Sequence, residues 1–154
     1  MNGQTLVRYL RADKFTKAIP CHFLYRDSHL TIHQYPAIVI VNTDNSDGPG
    51  IHWCAVYFTN KKICEYFDPL GFPPTNSEQG YNFIPKLLPF CDFIVYNKKA
   101  VQSKISAVCG HHCVYFLFLK CRNFSLNNII SDFYMNDTSK NDETITTFFS
   151  TITT

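Results

Sequence analysis

Apolar and polar positions fall into blocks along this chain, and the length and period of each block predict an element. Leu6, Val7 and Leu10 recur at helical spacing within Gln4–Leu10, which predicts a short amphipathic helix. Ala37–Val41 (AIVIV) is a continuous, largely β-branched run and predicts a buried strand. The stretch Asn42–Gly50 (NTDNSDGPG) is dense in turn formers and predicts a loop. Ile51–Thr59 (IHWCAVYFT) and Ile63–Phe67 (ICEYF) read as two further strands, and the short polar turn Asn60-Lys61-Lys62 makes them antiparallel neighbours. Asp68–Pro74 (DPLGFPP) ends the strand pattern, because proline lacks an N–H and fixes φ.

Tyr81–Leu88 has helical character interrupted by Pro85, Cys91–Tyr96 (CDFIVY) predicts a fourth strand, and 98–108 predicts a loop. Cys109–Lys120 (CGHHCVYFLFLK) is apolar on nearly every side from Cys113 onward, so as a helix it is buried all round. Ser125 and Asp142 are the predicted N-caps of helices over 126–134 and 143–151. The fold class expected is α+β: a central, mainly antiparallel sheet packed on one buried helix that carries Cys109 at its N-terminus.

Composition narrows the class without changing that outline. A length of 154 residues fits a single domain, 1–154. With 45% apolar and 17% charged residues the chain is not of the disordered type. No stretch approaches the roughly 18 apolar residues of a membrane span. The opening MNGQTLVRYLRADK lacks the apolar core of a secretory signal, so a non-secreted protein is expected. A net charge of +2 is too weak to predict nucleic-acid binding. Seven cysteines, an odd number with no C-x2-C pair, argue against a disulfide framework and a zinc knuckle. Reduced packing cysteines, or one reactive thiol among bystanders, remain.

Candidate chemistry lies at the ends of the predicted elements. His52 opens one strand and Asp68 closes its antiparallel neighbour, so both belong at the same sheet end. Cys109 heads the buried helix, where the helix N-terminus favours a thiolate, and Gly110 beside it allows close backbone approach. A neutral imidazole next to that thiol takes its proton, and a carboxylate on the other ring nitrogen fixes the tautomer. Gln102, in the loop feeding the helix, can add a side-chain N–H to the Cys109 backbone N–H as an oxyanion donor. Taken singly, each residue has a plainer explanation: a strand histidine, a turn aspartate before proline, a packing cysteine. Only the four together point to acyl transfer.

The stretch IVNT (Ile40–Thr43), a Gly-containing loop, His52-Trp53, YFDPLGF (Tyr66–Phe72), then Gln102 and, six residues further, Cys109-Gly110 resembles the adenain-like cysteine endopeptidases of adenoviruses, with relatives in virophages and Polinton-type elements. The resemblance covers roughly residues 36–121 in order. It implies an adenain- or SUMO-protease-like fold, with Cys109 as nucleophile, His52 as base, Asp68 as orienting acid and Gln102 as oxyanion donor. Asp68 is a departure, since the adenovirus enzymes carry Glu there. It also implies that Trp53 roofs the substrate groove, with core burial as the alternative, and that Gly110 belongs to the substrate site. Cutting near Gly-containing sequences in viral capsid precursors follows from the same resemblance. So does a location in the virion and host-cell interior, where Cys109 stays reduced.

Cys91 is spaced as the cysteine that takes an activating peptide in disulfide linkage, its alternative being a buried strand residue. The adenovirus enzymes also use DNA as a cofactor, but the mild charge and the 45 residues after Cys109 make this expectation weaker than that of the peptide. No cofactor is expected for the chemistry itself, no metal, and no membrane partner; a monomer is expected. His111 and His112 beside Cys109 and Cys113 invite a zinc reading, which the lack of a second ligand pair disfavours. The rival functions are a deconjugase of SUMO- or ubiquitin-like proteins, which usually has Asp-Ser where this chain has Asp68-Pro69, and a binding module with a decayed site.

Overall fold

The computed structural model describes residues 1–152. It opens with helix α1 (Gly3–Ala12), where the Asn2 side chain accepts a hydrogen bond from the Thr5 N–H at 2.9 Å and Leu6 and Leu10 turn inward. Strands β1 (Cys21–Leu24), β2 (Ala37–Asn42), β3 (Trp53–Phe58) and β4 (Ile63–Phe67) follow. A two-stranded pair, β5 (Thr75–Asn76) with β6 (Tyr81–Asn82), precedes the short helix α2 (Ile84–Leu87) and a 3-10 turn at Leu88–Phe90. The last elements are β7 (Phe93–Tyr96) and helices α3 (Cys109–Lys120), α4 (Leu126–Ser131) and α5 (Thr138–Ile152).

The main sheet has the order β1-β2-β3-β4-β7. Its centre is antiparallel, β2 with β3 and β3 with β4, as the short connections predict. Both outer strands join in parallel, β1 beside β2 and β7 beside β4. The sheet is therefore mixed, and its edges come from strands with distant sequence neighbours.

Both faces of the sheet are covered. On one, Ile38, Ile40, Ala55, Tyr57 and Phe67 pack against Cys113, Val114, Phe116 and Leu117 of α3, with α1, α4 and α5 around them. The rings of Phe67 and Phe116 stack with centroids 4.7 Å apart. On the other, Val39, Val41, Cys54, Val56, Phe58, Cys64 and Tyr66 meet Leu24, Leu30, Ile32, Phe83 and Leu87. A strand buried on both faces has no polar side to alternate with, which is why AIVIV is an unbroken apolar run. Lys120, at the buried end of α3, is paired with Glu65 of β4 at 2.8 Å and also donates to the Phe124 carbonyl.

Several boundaries differ from the sequence expectations. In the segment 81–88 only Ile84–Leu87 is helical, and Pro85 stands in its first turn, where its missing N–H costs nothing. The fourth predicted strand starts at Phe93 rather than Cys91. Ser125 caps α4 as expected, accepting from the Asn128 N–H at 3.1 Å, but the helix ends at Ser131. Asp142 is not a cap: α5 begins at Thr138, so Asp142 lies in its second turn and its carboxylate is used elsewhere.

Candidate active site

In the β3–β4 register Ala55 lies opposite Phe67, so the residue before β3, His52, and the residue after β4, Asp68, meet at one end of the sheet. The Thr43 N–H holds the His52 carbonyl at 3.0 Å and fixes the backbone there. The His52 Nε2 and Asp68 Oδ1 are 2.7 Å apart. Asp68 is fully buried, and its Oδ1 also accepts from the Leu70 N–H at 2.8 Å.

Asn97, just past β7, secures the Asp68 backbone on both sides. Its Oδ1 accepts the Asp68 N–H at 3.0 Å and its Nδ2 donates to the Asp68 carbonyl at 2.7 Å. The turn continues with the Gly71 N–H bonded to the Asp68 carbonyl, and Gly71 has φ +78°. A Cβ at Gly71 would stand 2.6 Å from the Ala100 nitrogen and the Lys99 carbonyl carbon, so glycine lets this turn press against the loop that carries Gln102.

Cys109 begins α3 and lines the same cleft as His52, near enough that each shifts the other's pKa. With Nε2 given to Asp68, Nδ1 is the ring nitrogen left for the thiol. Burial by itself drives the His52 pKa down, but the hydrogen bond to Asp68, then Cys109 and the charges of both, overcome it and raise the pKa to about 9. Burial likewise pushes the Cys109 thiol up, and the bond to His52, with backbone bonds at Trp53 and Gly110, brings it below the ordinary thiol value. The two shifts favour the same state, thiolate facing imidazolium.

Gln102 is buried and lines the same cleft as His52 and Cys109. Its Nε2 donates to the Ser106 carbonyl at 3.0 Å, within 3.2 Å of the Ser106 hydroxyl, while its Oε1 has no hydrogen-bond partner among the described residues. The Cys109 N–H is in the first turn of α3, where backbone N–H groups have no partner within the helix. The cleft, of about 820 Å³, runs between Asn42, Gly50 and Trp53 on one side and Leu70, Phe72 and Ala107 on the other. In and beside it stand a thiol, an imidazole paired with a buried carboxylate, a side-chain amide and a helix-start N–H, the kinds of group that acyl transfer uses.

Trp53 lines the cleft, and its indole N–H donates to the Met1 carbonyl at 3.0 Å. Gly110 is buried, and a Cβ there would approach Met1, Trp53 and Leu6 at 3.2–3.4 Å, so glycine lets α3 sit close to Trp53 and Met1, which line the cleft. Cys91 is buried, with its Sγ 3.4 Å from the Sγ of Cys64 and 3.5 Å from the Leu87 carbonyl. A disulfide to an outside peptide requires that sulfur to leave the core.

The residues behind the zinc reading point three ways: Cys109 to His52, Cys113 to the Trp53 carbonyl at 3.4 Å, and His112 to Asp142 at 2.9 Å. A different set, His52, Cys54 and Asp68, brings its ligand-type atoms within 4.8 Å of one another. There the imidazole nitrogen already bonds the carboxylate, and burial holds the Cys54 thiol protonated well above its ordinary range. Sequence reasoning missed Asn97, Ser106 and the Asn141-Asp142 pair, because their partners lie 4 to 40 residues away and no local motif marks them.

The chain is similar to known viral proteases. The chain is 33% identical over 112 residues to a protease of Bovine adenovirus 2, covering 67% of this chain and 51% of that protein. It is 35% identical over 92 residues to a protease of Frog adenovirus 1, covering 53% and 45%, and 33% over 94 residues to one of Bovine adenovirus C serotype 10, covering 54% and 48%. The chain thus spans about half the length of the curated relatives it matches. Among solved structures it is similar to the ASFV pS273R protease, with a TM-score of 0.40 and 19% identity over 66% of this chain and 39% of that one. The model of the adenovirus endoprotease family matches residues 25–145, and the chain belongs to that family.

Proposed function

We propose that this chain is a viral cysteine endopeptidase working through His52, Asp68, Cys109 and Gln102. The observation that carries the reading is the imidazole that meets Asp68 at 2.7 Å and lines one cleft with Cys109 and Gln102. The Cys109 thiolate attacks a peptide carbonyl, and the oxyanion is received by the Gln102 side-chain amide and the Cys109 N–H. The His52 imidazolium gives its proton to the leaving amine as the C–N bond breaks, leaving a thioester on Cys109. Neutral His52 then takes a proton from water, whose oxygen displaces the thiolate and releases the carboxylic acid.

The substrates proposed are precursors of viral structural proteins, cut near glycine, inside the infected cell and the particle, where thiols stay reduced. Support comes from family membership and from the cleft of about 820 Å³ that Cys109 and His52 line together with Gly50 and Trp53. Incubation with the structural precursors encoded in the same genome, followed by mass spectrometry of new termini, tests this. Cleavage next to glycine that disappears in Cys109→Ala supports the reading; cleavage that persists in Cys109→Ala, or no cleavage by the native protein, overturns it.

A further inference from the structure

Gln102 sits in a loop, 97–108, with no regular structure, yet its side chain is 3% exposed. Within the loop its amide donates to the Ser106 carbonyl at 3.0 Å, and the loop itself is held from outside. On one side the Val101 and Gln102 N–H groups both donate to the Pro69 carbonyl, at 2.8 and 3.0 Å. On the other side the support comes from α5, through two consecutive residues. The Asn141 Nδ2 donates to the Val101 carbonyl at 2.9 Å, and the Asp142 Oδ2 accepts the Ser103 N–H at 3.1 Å. The residues just before and just after Gln102 are thus each tied to the same helical turn.

Neither α5 residue is free to move. Asn141 is 1% exposed and closes a second pair of bonds with the Tyr134 backbone, at 2.8 and 2.7 Å. The other oxygen of Asp142, Oδ1, takes the His112 ring at 2.9 Å. His112 lies on α3 three residues after Cys109, and its side chain is fully buried. Asp142 therefore bridges the helix that presents the thiol and the loop that presents the amide.

We propose that Asn141 and Asp142 are positioning residues that hold Gln102 beside Cys109 as an oxyanion donor, with His112 anchoring Asp142 to the nucleophile helix. Neither touches the reacting atoms. Their effect is on where the Gln102 amide stands when the oxyanion forms, and an error of about 1 Å there costs on the order of a hundredfold in rate. The proposal rests on the protease reading above and adds to it the determinant of the oxyanion geometry.

The test compares native protein with Asp142→Ala, Asp142→Asn, Asn141→Ala and Gln102→Ala. A fluorogenic peptide with a Gly-Gly bond between donor and quencher reads turnover, and iodoacetamide at neutral pH reads the Cys109–His52 pair independently of the oxyanion site. Alanine is a strong helix former, so Asp142→Ala keeps α5. The expected result is a fall in kcat of about ten- to a hundredfold in Asp142→Ala and Asn141→Ala with KM within about twofold. Cys109 alkylation should stay within about twofold of native, and hydrogen exchange at Ser103 should quicken.

Asp142→Asn should recover most of the lost kcat, because its amide can serve both Ser103 and a His112 ring protonated on Nδ1. Normal kcat in Asp142→Ala while Gln102→Ala is impaired would overturn the clamp alone. An equal loss of alkylation and turnover in Asp142→Ala would also overturn it, by showing a merely structural role. A native protein that neither turns over the peptide nor reacts at Cys109 overturns the protease reading and the clamp with it.

Discussion

Two pairs of buried groups sit on opposite faces of one sheet and behave in opposite ways. On the helix face Cys109 meets His52, and its thiol pKa lies below the ordinary value. On the other face Cys64 meets Cys91 at 3.4 Å, and both thiols are held above it, chiefly by burial. Desolvation opposes the thiolate at every one of these sulfurs. The difference is what each sulfur faces: a second thiol offers no positive charge, whereas His52, itself held protonated by Asp68, does. Cys113, one turn below Cys109 on the same helix, makes the same point, since burial raises its thiol far above the usual range. The one thiol of the four that is lowered is the one that faces a histidine paired with a buried carboxylate.

The most severe way to break this contrast is to remove the sulfur. Cys109→Ala should abolish both peptide cleavage and alkylation at neutral pH, while the thermal unfolding transition stays cooperative. His52→Ala should make Cys109 behave like the other buried thiols, lowering kcat by about 10²–10⁴-fold and slowing iodoacetamide labelling by mass spectrometry. Asp68→Asn keeps the volume but offers the imidazole no negative charge, so a loss of about a hundredfold or more in kcat is expected from stopped-time assays.

Acidity sharpens the contrast further. The competent state needs Cys109 ionised and His52 protonated. A thiol with a lowered pKa ionises below the ordinary thiol range, and a histidine raised to about 9 keeps its proton until the pH passes that value. Cleavage measured against pH should rise on a limb below the ordinary thiol range and fall on one near 9; a rise that continues past pH 10 would contradict the ion pair. The smallest effect belongs to the other face, where Cys64→Ala should cost about 1 kcal/mol in urea unfolding and leave kcat unchanged.

Much of this was legible in the sequence because the reacting groups sit at element boundaries, and boundaries leave local marks. His52 follows a turn-rich loop, Asp68 precedes a proline, and Cys109 starts a run too apolar to be anything but a buried helix. Strand β1 left no such mark: four residues after Pro20 that pair in parallel with β2 owe their conformation to a partner 17 residues on. Asp142 was legible as a capping residue and is not one. Asp137, five residues earlier, takes the Lys140 N–H on its carbonyl where the helix begins, and both aspartates look alike in one dimension. What decides between them is the Ser103 N–H and the His112 ring, which only the folded chain brings to Asp142.

The dependence of Gln102 on α5 has a consequence in time. During synthesis the chain emerges from its N-terminus, and His52, Asp68, Gln102 and Cys109 are all made before the first residue of Thr138–Ile152. At about 5–20 residues per second, the 33 residues from Cys109 to Asp142 take about 2–7 s to add. Over that interval a nascent chain owns its sulfur and its imidazole but not the two bonds that steady the oxyanion loop. On the proposed reading, the loop that carries Gln102 gains its two bonds from α5 only after Thr138–Ile152 has been made and has docked.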